Sequence, residues 1–196
     1  NIALLDAENV ILSNKMFFKE LYHERRVNNI YLDTVSLESY NSNMEGLSKR
    51  KKYRIRWYGD LFAKIDHPVL EIKIKNSTVG TKYKYKIHSF ELIRRFDTAL
   101  LQEIINESNL PDNVLFELSL LDPSLINTYS RKYYLSANGK YRVTIDRDLS
   151  YYYVTRGMNY IVSKRPQSGV VIEIKYLEKN EKYIDKITNS FPFRLT

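Results

Sequence analysis

Arg54, Arg56, Lys73, Lys75, Lys82, Lys84, Arg131 and Arg142 recur at alternate positions of short apolar segments. Five of these segments stand out: Tyr53 to Asp60 (Y-R-I-R-W-Y-G-D), Leu70 to Lys75 (L-E-I-K-I-K), Lys82 to Ile87 (K-Y-K-Y-K-I), Lys140 to Asp146 (K-Y-R-V-T-I-D) and Val171 to Tyr176 (V-I-E-I-K-Y). A period of two is that of a β-strand, so Arg54, Arg56 and Tyr58 face one way and Tyr53, Ile55 and Trp57 the other. An Arg fork grips a phosphoryl group through two oxygens, and a Lys ammonium neutralises it as a point charge. Glu71 and Glu173 share the ionic faces. Either could hold Mg or Mn, which prefer oxygen ligands, bridge phosphate oxygens and polarise a phosphoryl bond. The alternative is that both are salt-bridge partners of neighbouring cations.

One strand with an ionic face is usually solvated surface. Several concordant strands, mostly basic on that face, ask for convergence on one cationic cavity. Like charges about 6 Å apart at an effective dielectric of about 20 repel by roughly 3 kcal/mol per pair. An empty cavity is therefore expected to be strained, and a linear chain of phosphates to relieve it. On that reasoning Arg54→Ala or Arg56→Ala abolishes triphosphate binding and leaves the empty fold intact or more stable. Lys84, Lys86 and the cluster Lys49 to Lys52 are read as rim or surface charges.

The composition agrees with an anionic partner. Lys and Arg number 31 against 23 Asp and Glu, a formal charge of +8 with a pI near 9.4, which favours phosphate chains, nucleic acid or an anionic surface. There is no cysteine for a disulfide or thiolate metal site, and the 3 His residues show no metal-ligand spacing. No apolar run reaches the roughly 20 residues of a membrane span, and no signal peptide is visible. A cytoplasmic location is the resulting expectation. The length, 196 residues, fits one domain.

The elements that must position these cations follow from periodicity. Asp6 to Leu21 has helical spacing, Arg26 to Thr34 reads as a strand with Asn29, Tyr31 and Asp33 on one face, and Ser36 to Gly46 is turn-rich. Gly80 marks a hairpin between basic strands. Ser89 to Leu121 changes to three- and four-residue steps broken at Pro111, predicting two helices that cover the apolar flank of the sheet. Ile126 to Leu135 is a strand with Tyr129, Arg131 and Tyr133 on one face, and Asn138-Gly139 turns the chain into the strand at Lys140. Leu149 to Thr155 and Val170 to Tyr176 complete eight strands, and Glu178 to Ile187 is a short helix. The fold class is mainly antiparallel β (α+β), an eight-stranded barrel with helices inserted in its middle.

These motifs resemble the VTC domain, the polyphosphate polymerase domain of the vacuolar transporter chaperone complex, within the triphosphate tunnel metalloenzyme superfamily. The resemblance rests on Y-L-D-T at Tyr31, R-K-K-Y-R-I-R-W-Y-G-D at Arg50, L-E-I-K-I-K at Leu70, Y-S-R-K-Y-Y at Tyr129, Y-R-V-T-I-D at Tyr141, V-I-E-I-K-Y at Val171 and F-P-F-R-L-T at Phe191. It implies an eight-stranded tunnel holding triphosphate or polyphosphate with Mn or Mg. Arg54, Arg56, Lys73, Lys82, Arg131 and Arg142 would be phosphate ligands, with Tyr129 assisting and Lys75 and Lys175 beside them. Arg54, Arg56, Lys73, Arg131 and Arg142 would carry the phosphoryl transfer. Glu173 would be the metal ligand. The superfamily usually opens with a strand bearing Glu-x-Glu-x-Lys or a basic variant, and family members continue into a Ser-Lys-Tyr-like segment. This sequence shows neither, so a domain missing its first strand and its C-terminal segment is expected.

The expected function is metal-dependent phosphoryl transfer on triphosphate or polyphosphate chains, of the polyphosphate-polymerase kind and using a nucleoside triphosphate, with triphosphate hydrolysis as a variant. The alternative is a non-catalytic module for polyphosphate or single-stranded nucleic acid. Nucleic acid is disfavoured because the aromatics mostly alternate with the cations instead of sharing their face. A membrane partner protein that passes the product onward is left open.

Overall fold

The computed structural model describes residues 4–77, 79–93, 96–154, 161–189 and 191. The chain runs α1 (Leu4–Leu12), β1 (Lys19–Asp33), α2 (Glu38–Met44), β2 (Lys49–Tyr58), β3 (Lys64–Ile65), β4 (Val69–Asn76), β5 (Val79–Lys86) and β6 (Phe90–Glu91). It continues through α3 (Thr98–Asn106), α4 (Asp112–Ser119), β7 (Asp122–Leu135), β8 (Tyr141–Val154), β9 (Ile161–Pro166), β10 (Val171–Tyr176), a 3-10 turn at Glu178–Tyr183 and α5 (Asp185–Thr188). The main sheet has eight strands in the order β10-β8-β7-β1-β2-β4-β5, with β9 on β8, and the strand pairs β1 with β2, β2 with β4, β4 with β5 and β8 with β10 are antiparallel. The expected mainly antiparallel eight-stranded sheet is present. Its hydrogen-bonded path ends at β10 and β5, so closure into a barrel is not found among the described residues.

The chain divides into two compact units. The first comprises Asn1–Arg26, Tyr129–Leu149 and Pro166–Thr196; the second comprises Val27–Thr128 and Ser150–Arg165. In the second unit the inward residues of β2 and β4, Ile55, Trp57, Leu70 and Ile72, are buried with Leu101, Ile104 and Ile105 of α3 and Val114 and Leu118 of α4. The two helices cover the apolar flank of this sheet, as the sequence requires. The Asp97 side chain caps α3 by accepting from Leu100 N at 2.7 Å. In the first unit Ala7 and Ile11 of α1 join Tyr134, Tyr141, Val143, Ile145 and Ile187 in a separate core.

Several predicted boundaries move. The helix predicted over Asp6 to Leu21 stops at Leu12, because Asn14 turns the chain: its side-chain oxygen accepts from Met16 N at 2.9 Å, and Phe17 takes a φ of 51°. The turn-rich stretch contains α2, whose first turn is capped from outside by Asp33, which accepts from Ser39 N and Tyr40 N at 2.9 and 3.0 Å. The β4–β5 hairpin turns between Asn76 and Val79, which pair, with Ser77 at φ 57°; Gly80 lies within β5 opposite Lys75. Ser89 to Glu91 is not helical, and Phe90 belongs to the short strand β6. The strands predicted at Lys140 and Leu149 are one strand, β8, which continues through a positive φ of 53° at Asp148. β9, which was not predicted, brings the main sheet to eight strands, and β3 and β6 form a separate two-stranded sheet. Of the F-P-F-R-L-T motif, residues 192–196 lie outside the described residues.

Candidate functional site

Register decides which cations share a face. Across β2 and β4, Arg50 faces Lys75, Lys52 faces Lys73, and Arg54 faces Glu71. Across β4 and β5, Glu71 faces Lys84, Lys73 faces Lys82, and Val69 faces Lys86. Directly paired residues point to the same side of a sheet. One face of β2–β4–β5 therefore carries Arg50, Lys52, Arg54, Arg56, Lys73, Lys75, Lys82, Lys84 and Lys86 around the single carboxylate of Glu71. Tyr31 and Asn29 of β1 sit opposite Arg54 and Arg56 and extend the same face.

Glu71 is 4% exposed and is gripped on both oxygens. Oε2 accepts from Arg54 Nε at 2.6 Å, with a second Arg54 nitrogen at 2.5 Å and Arg56 at 3.7 Å; Oε1 lies 2.5 Å from Lys82 Nζ and 4.0 Å from Lys84 Nζ. Burial pushes this carboxyl up, but the hydrogen bonds from Lys82 and Arg54 and the charges of Arg54 and Arg56 outweigh it and bring its pKa down to about 2. Burial lowers the Lys82 ammonium, and the neighbouring Arg54 and Arg56 lower it further, against the support of Glu71. Arg56 is fixed by a second contact, its Nε donating to Asn29 Oδ1 at 2.8 Å, while Asn29 Nδ2 donates to Asn127 Oδ1 at 2.7 Å.

The folded pKa of Glu71 lies below its unfolded value, so its stabilisation is complete above the unfolded pKa and is lost as pH falls through about 2. The difference corresponds to on the order of 3 kcal/mol. Acid unfolding followed by circular dichroism is expected to show stability declining between about pH 4.5 and pH 2, with a visibly smaller decline in Glu71→Gln. An identical decline in both would contradict the pairing.

Beyond Glu71 along the strands, Arg50, Lys52, Lys73 and Lys75 line a small cavity of about 60 Å³ with Asn43 of α2 and no carboxylate. Arg50 and Lys52 are thus corrected from rim charges to members of the cationic face. Burial, with Arg50, Lys73 and Arg54 nearby, lowers the Lys52 ammonium. Lys51 points to the other face, where it meets Glu117 at 2.5 Å beside the Tyr53 hydroxyl, which donates to Glu117 at 2.9 Å. Removing that hydroxyl in Tyr53→Phe is expected to cost about 1 kcal/mol in denaturant unfolding, since Glu117 keeps Lys51; a loss above about 3 kcal/mol would mean that the carboxylate is stranded.

The first unit holds its own cluster. Arg131 makes a two-point contact with Asp146, Nε to Oδ1 at 2.5 Å and a terminal nitrogen to Oδ2 at 2.6 Å, and its guanidinium lies 5.1 Å from the centre of the Tyr129 ring. Burial works against the Arg131 charge, but the Asp146 contact dominates and raises its pKa. Glu173 lies 3.9 Å from Arg131 and 3.0 Å from Lys175. In the β8–β10 register Lys175 faces the exposed Arg142, and Glu173 faces Thr144. The Thr144 hydroxyl is buried without a hydrogen-bond partner.

The two predicted metal ligands differ. Glu71 does not fit a divalent cation, because both its oxygens are already held by cations. Glu173 fits as a single-carboxylate anchor: it is half-exposed, and the orphan Thr144 hydroxyl stands across from it. Among the described residues no group of three or more His, Asp and Glu gathers, so such an ion would take its other ligands from phosphate and water.

Register groups Arg54, Arg56, Lys73, Lys75 and Lys82 in the second unit; in the first, register pairs Arg142 with Lys175, and side-chain contacts bring Tyr129, Arg131 and Glu173 together. Sequence reasoning missed Asp146, Asn29 and Tyr31 as partners of these cations. The alternation Arg142, Thr144, Asp146 was the available signal for the first.

A family model described as the VTC domain matches residues 8–194. Among the solved structures that resemble the chain are the following two. PH1819 from Pyrococcus horikoshii OT3 is 13% identical, over 96% of this chain and 85% of that one, with a TM-score of 0.49. A candidate adenylyl cyclase, HpAC1 from Hippeastrum, whose structure is titled as revealing a dominant triphosphatase activity, is 14% identical, over 96% of this chain and 81% of that one, with a TM-score of 0.49. No curated protein matches the chain. Among the described residues no helix is long and apolar enough to cross a membrane.

Proposed function

The chain belongs to the VTC domain family, and on that premise we propose that it binds phosphate chains and transfers a phosphoryl group from a nucleoside triphosphate or triphosphate to a growing polyphosphate. The observation that carries this is the face of β2–β4–β5, where cations on three adjacent strands surround one carboxylate. A surface built only for solubility intersperses both signs.

Arg54 and Arg56 hold phosphoryl oxygens, Arg54 through its fork and Arg56 from a position fixed by Asn29. Lys73, Lys75 and Lys82 neutralise the chain as point charges. In the other unit Arg131, oriented by Asp146 and Tyr129, acts with Arg142 and Lys175 on phosphate oxygens. Arg54, Arg56 and Lys73 in the second unit, and Arg131 and Arg142 in the first, are each assigned the stabilisation of phosphoryl charge, where fixed cations contribute most. Glu173, beside Thr144, is the residue that would hold Mn or Mg. When bound there, the ion would supply Lewis-acid polarisation of the phosphoryl group.

Transfer to phosphate suits this set of residues better than hydrolysis. A phosphate acceptor is already anionic at neutral pH and needs no base to deprotonate it. Glu71, with its pKa near 2, is far too weak a base to activate water at neutral pH. At Arg131 a base finds no open ring, since Tyr129 is 6% exposed beneath the guanidinium.

The test is phosphorus NMR of ATP incubated with the protein and Mg. Growth of internal polyphosphate resonances as the γ signal falls is the expected result. Orthophosphate alone would make the protein a triphosphatase, and an unchanged spectrum with tripolyphosphate bound would make it a binding module.

A further inference from the structure

Glu71 sits in the middle of the cationic face, yet the chemistry above gives it nothing to do. Its carboxylate, 4% exposed, occupies Arg54 and Lys82 as a phosphoryl group would. The neighbouring positions differ: Arg50, Lys52, Lys73 and Lys75 surround their small cavity with no carboxylate on its wall. The face therefore has one part neutralised in advance by its own anion and one part left open.

We propose that Glu71 is a specificity-determining residue, an internal anion that a single phosphate does not displace from Arg54 and that a linear phosphate chain does. This rests on reading the face as a phosphate-chain site. An isolated phosphate arriving at Arg54 exchanges one charge-assisted pair for another and loses its own hydration, so it gains little. At the open positions it gains fully. A chain anchored there presents its next phosphoryl group to Arg54 at an effective concentration in the millimolar range or above, and displacement of Glu71 becomes an intramolecular step. Lys73 and Glu71 are two residues apart on β4, about 7 Å, a distance that linked phosphoryl groups span and a lone one does not. Lys84, 4.0 Å from Oε1, is the cation to which the displaced carboxylate moves.

The experiment follows the Arg54 Nε–H resonance by NMR, assigned with Arg54→Lys, during titration with orthophosphate or tripolyphosphate at fixed ionic strength. Wild type, Glu71→Gln and, as a control for net charge, Glu103→Gln on α3 are compared. In wild type and Glu103→Gln, tripolyphosphate is expected to move the resonance, and orthophosphate at equal phosphorus concentration is not. In Glu71→Gln both move it, with the orthophosphate midpoint at least tenfold lower. Orthophosphate reaching Arg54 as readily in wild type as in Glu71→Gln overturns the proposal, as does tripolyphosphate that binds wild type without moving Arg54. Should Glu71→Gln not fold, the wild-type comparison decides alone: equal response to the two ligands overturns it. A wild type that binds no tripolyphosphate at all removes the phosphate-chain reading and this inference together.

Discussion

Arg54→Ala is expected to abolish the stabilisation that tripolyphosphate gives the wild-type protein, and Arg56→Ala to reduce it nearly as far. At a ligand concentration about 100 times the dissociation constant, wild type gains about 2.7 kcal/mol; Arg54→Ala should fall to whatever sulfate provides. Arg54 loses more because its fork is the group that must leave Glu71 for phosphate, while Arg56 stands 3.7 Å from Glu71 and is held by Asn29. Repulsion among unopposed cations alone would leave the empty protein indifferent to these changes or stabilised by them. Glu71 alters that expectation. Arg54→Ala removes a two-point contact from a buried carboxylate that keeps Lys82, and the apo protein should lose about 1.5–3 kcal/mol. Thermal unfolding with and without tripolyphosphate separates the two effects, and undiminished ligand stabilisation in Arg54→Ala would contradict the assignment.

Trp57→Ala is expected to do the reverse. Trp57 is on the same strand but the opposite face, 3% exposed, with its ring 6.1 Å from Phe90 and its Nε1 donating to Asp60 O at 3.0 Å. Emptying that volume should cost about 3–5 kcal/mol, much of the 5–15 kcal/mol that holds a typical domain together. Denaturant unfolding should show the midpoint falling steeply. Whatever fraction remains folded should bind tripolyphosphate as before, because no cation of the opposite face touches the indole. A loss under about 1 kcal/mol would mean that the helices α3 and α4 do not depend on this face of the strand.

The contrast between these neighbours explains how much was legible in the sequence. A period of two assigns Arg54 and Trp57 to opposite faces without any structure, and the three- and four-residue steps of α3 and α4 show what covers the apolar side. Both readings hold because burial enforces them: a slip of one residue would expose Trp57 and bury Arg54. What periodicity lacks is register between strands. That Arg54 meets Glu71 rather than Lys73 depends on which residues of β2 and β4 pair, and this decides whether Glu71 is a metal ligand or a counter-ion. For the same reason Arg50 and Lys52 looked like rim charges until Lys75 and Lys73 were found opposite them. The misplaced boundaries share a different cause. Non-glycine residues with positive φ, Phe17, Ser77 and Asp148, bend or turn the chain where the sequence shows no glycine. Asp33 caps α2 from the end of the preceding strand, which a search for a capping residue next to the helix does not find.

The central claim is that the cationic face receives a phosphate chain, and thermal unfolding of the wild-type protein tests it most directly. Tripolyphosphate and sulfate are compared at fixed ionic strength, each with and without Mn. A shift specific to tripolyphosphate, enlarged by Mn, is the expected result. A shift no greater than that given by sulfate would show that the face is ordinary charged surface, and would contradict the assignment of Arg54, Arg56 and Lys82 as phosphate ligands.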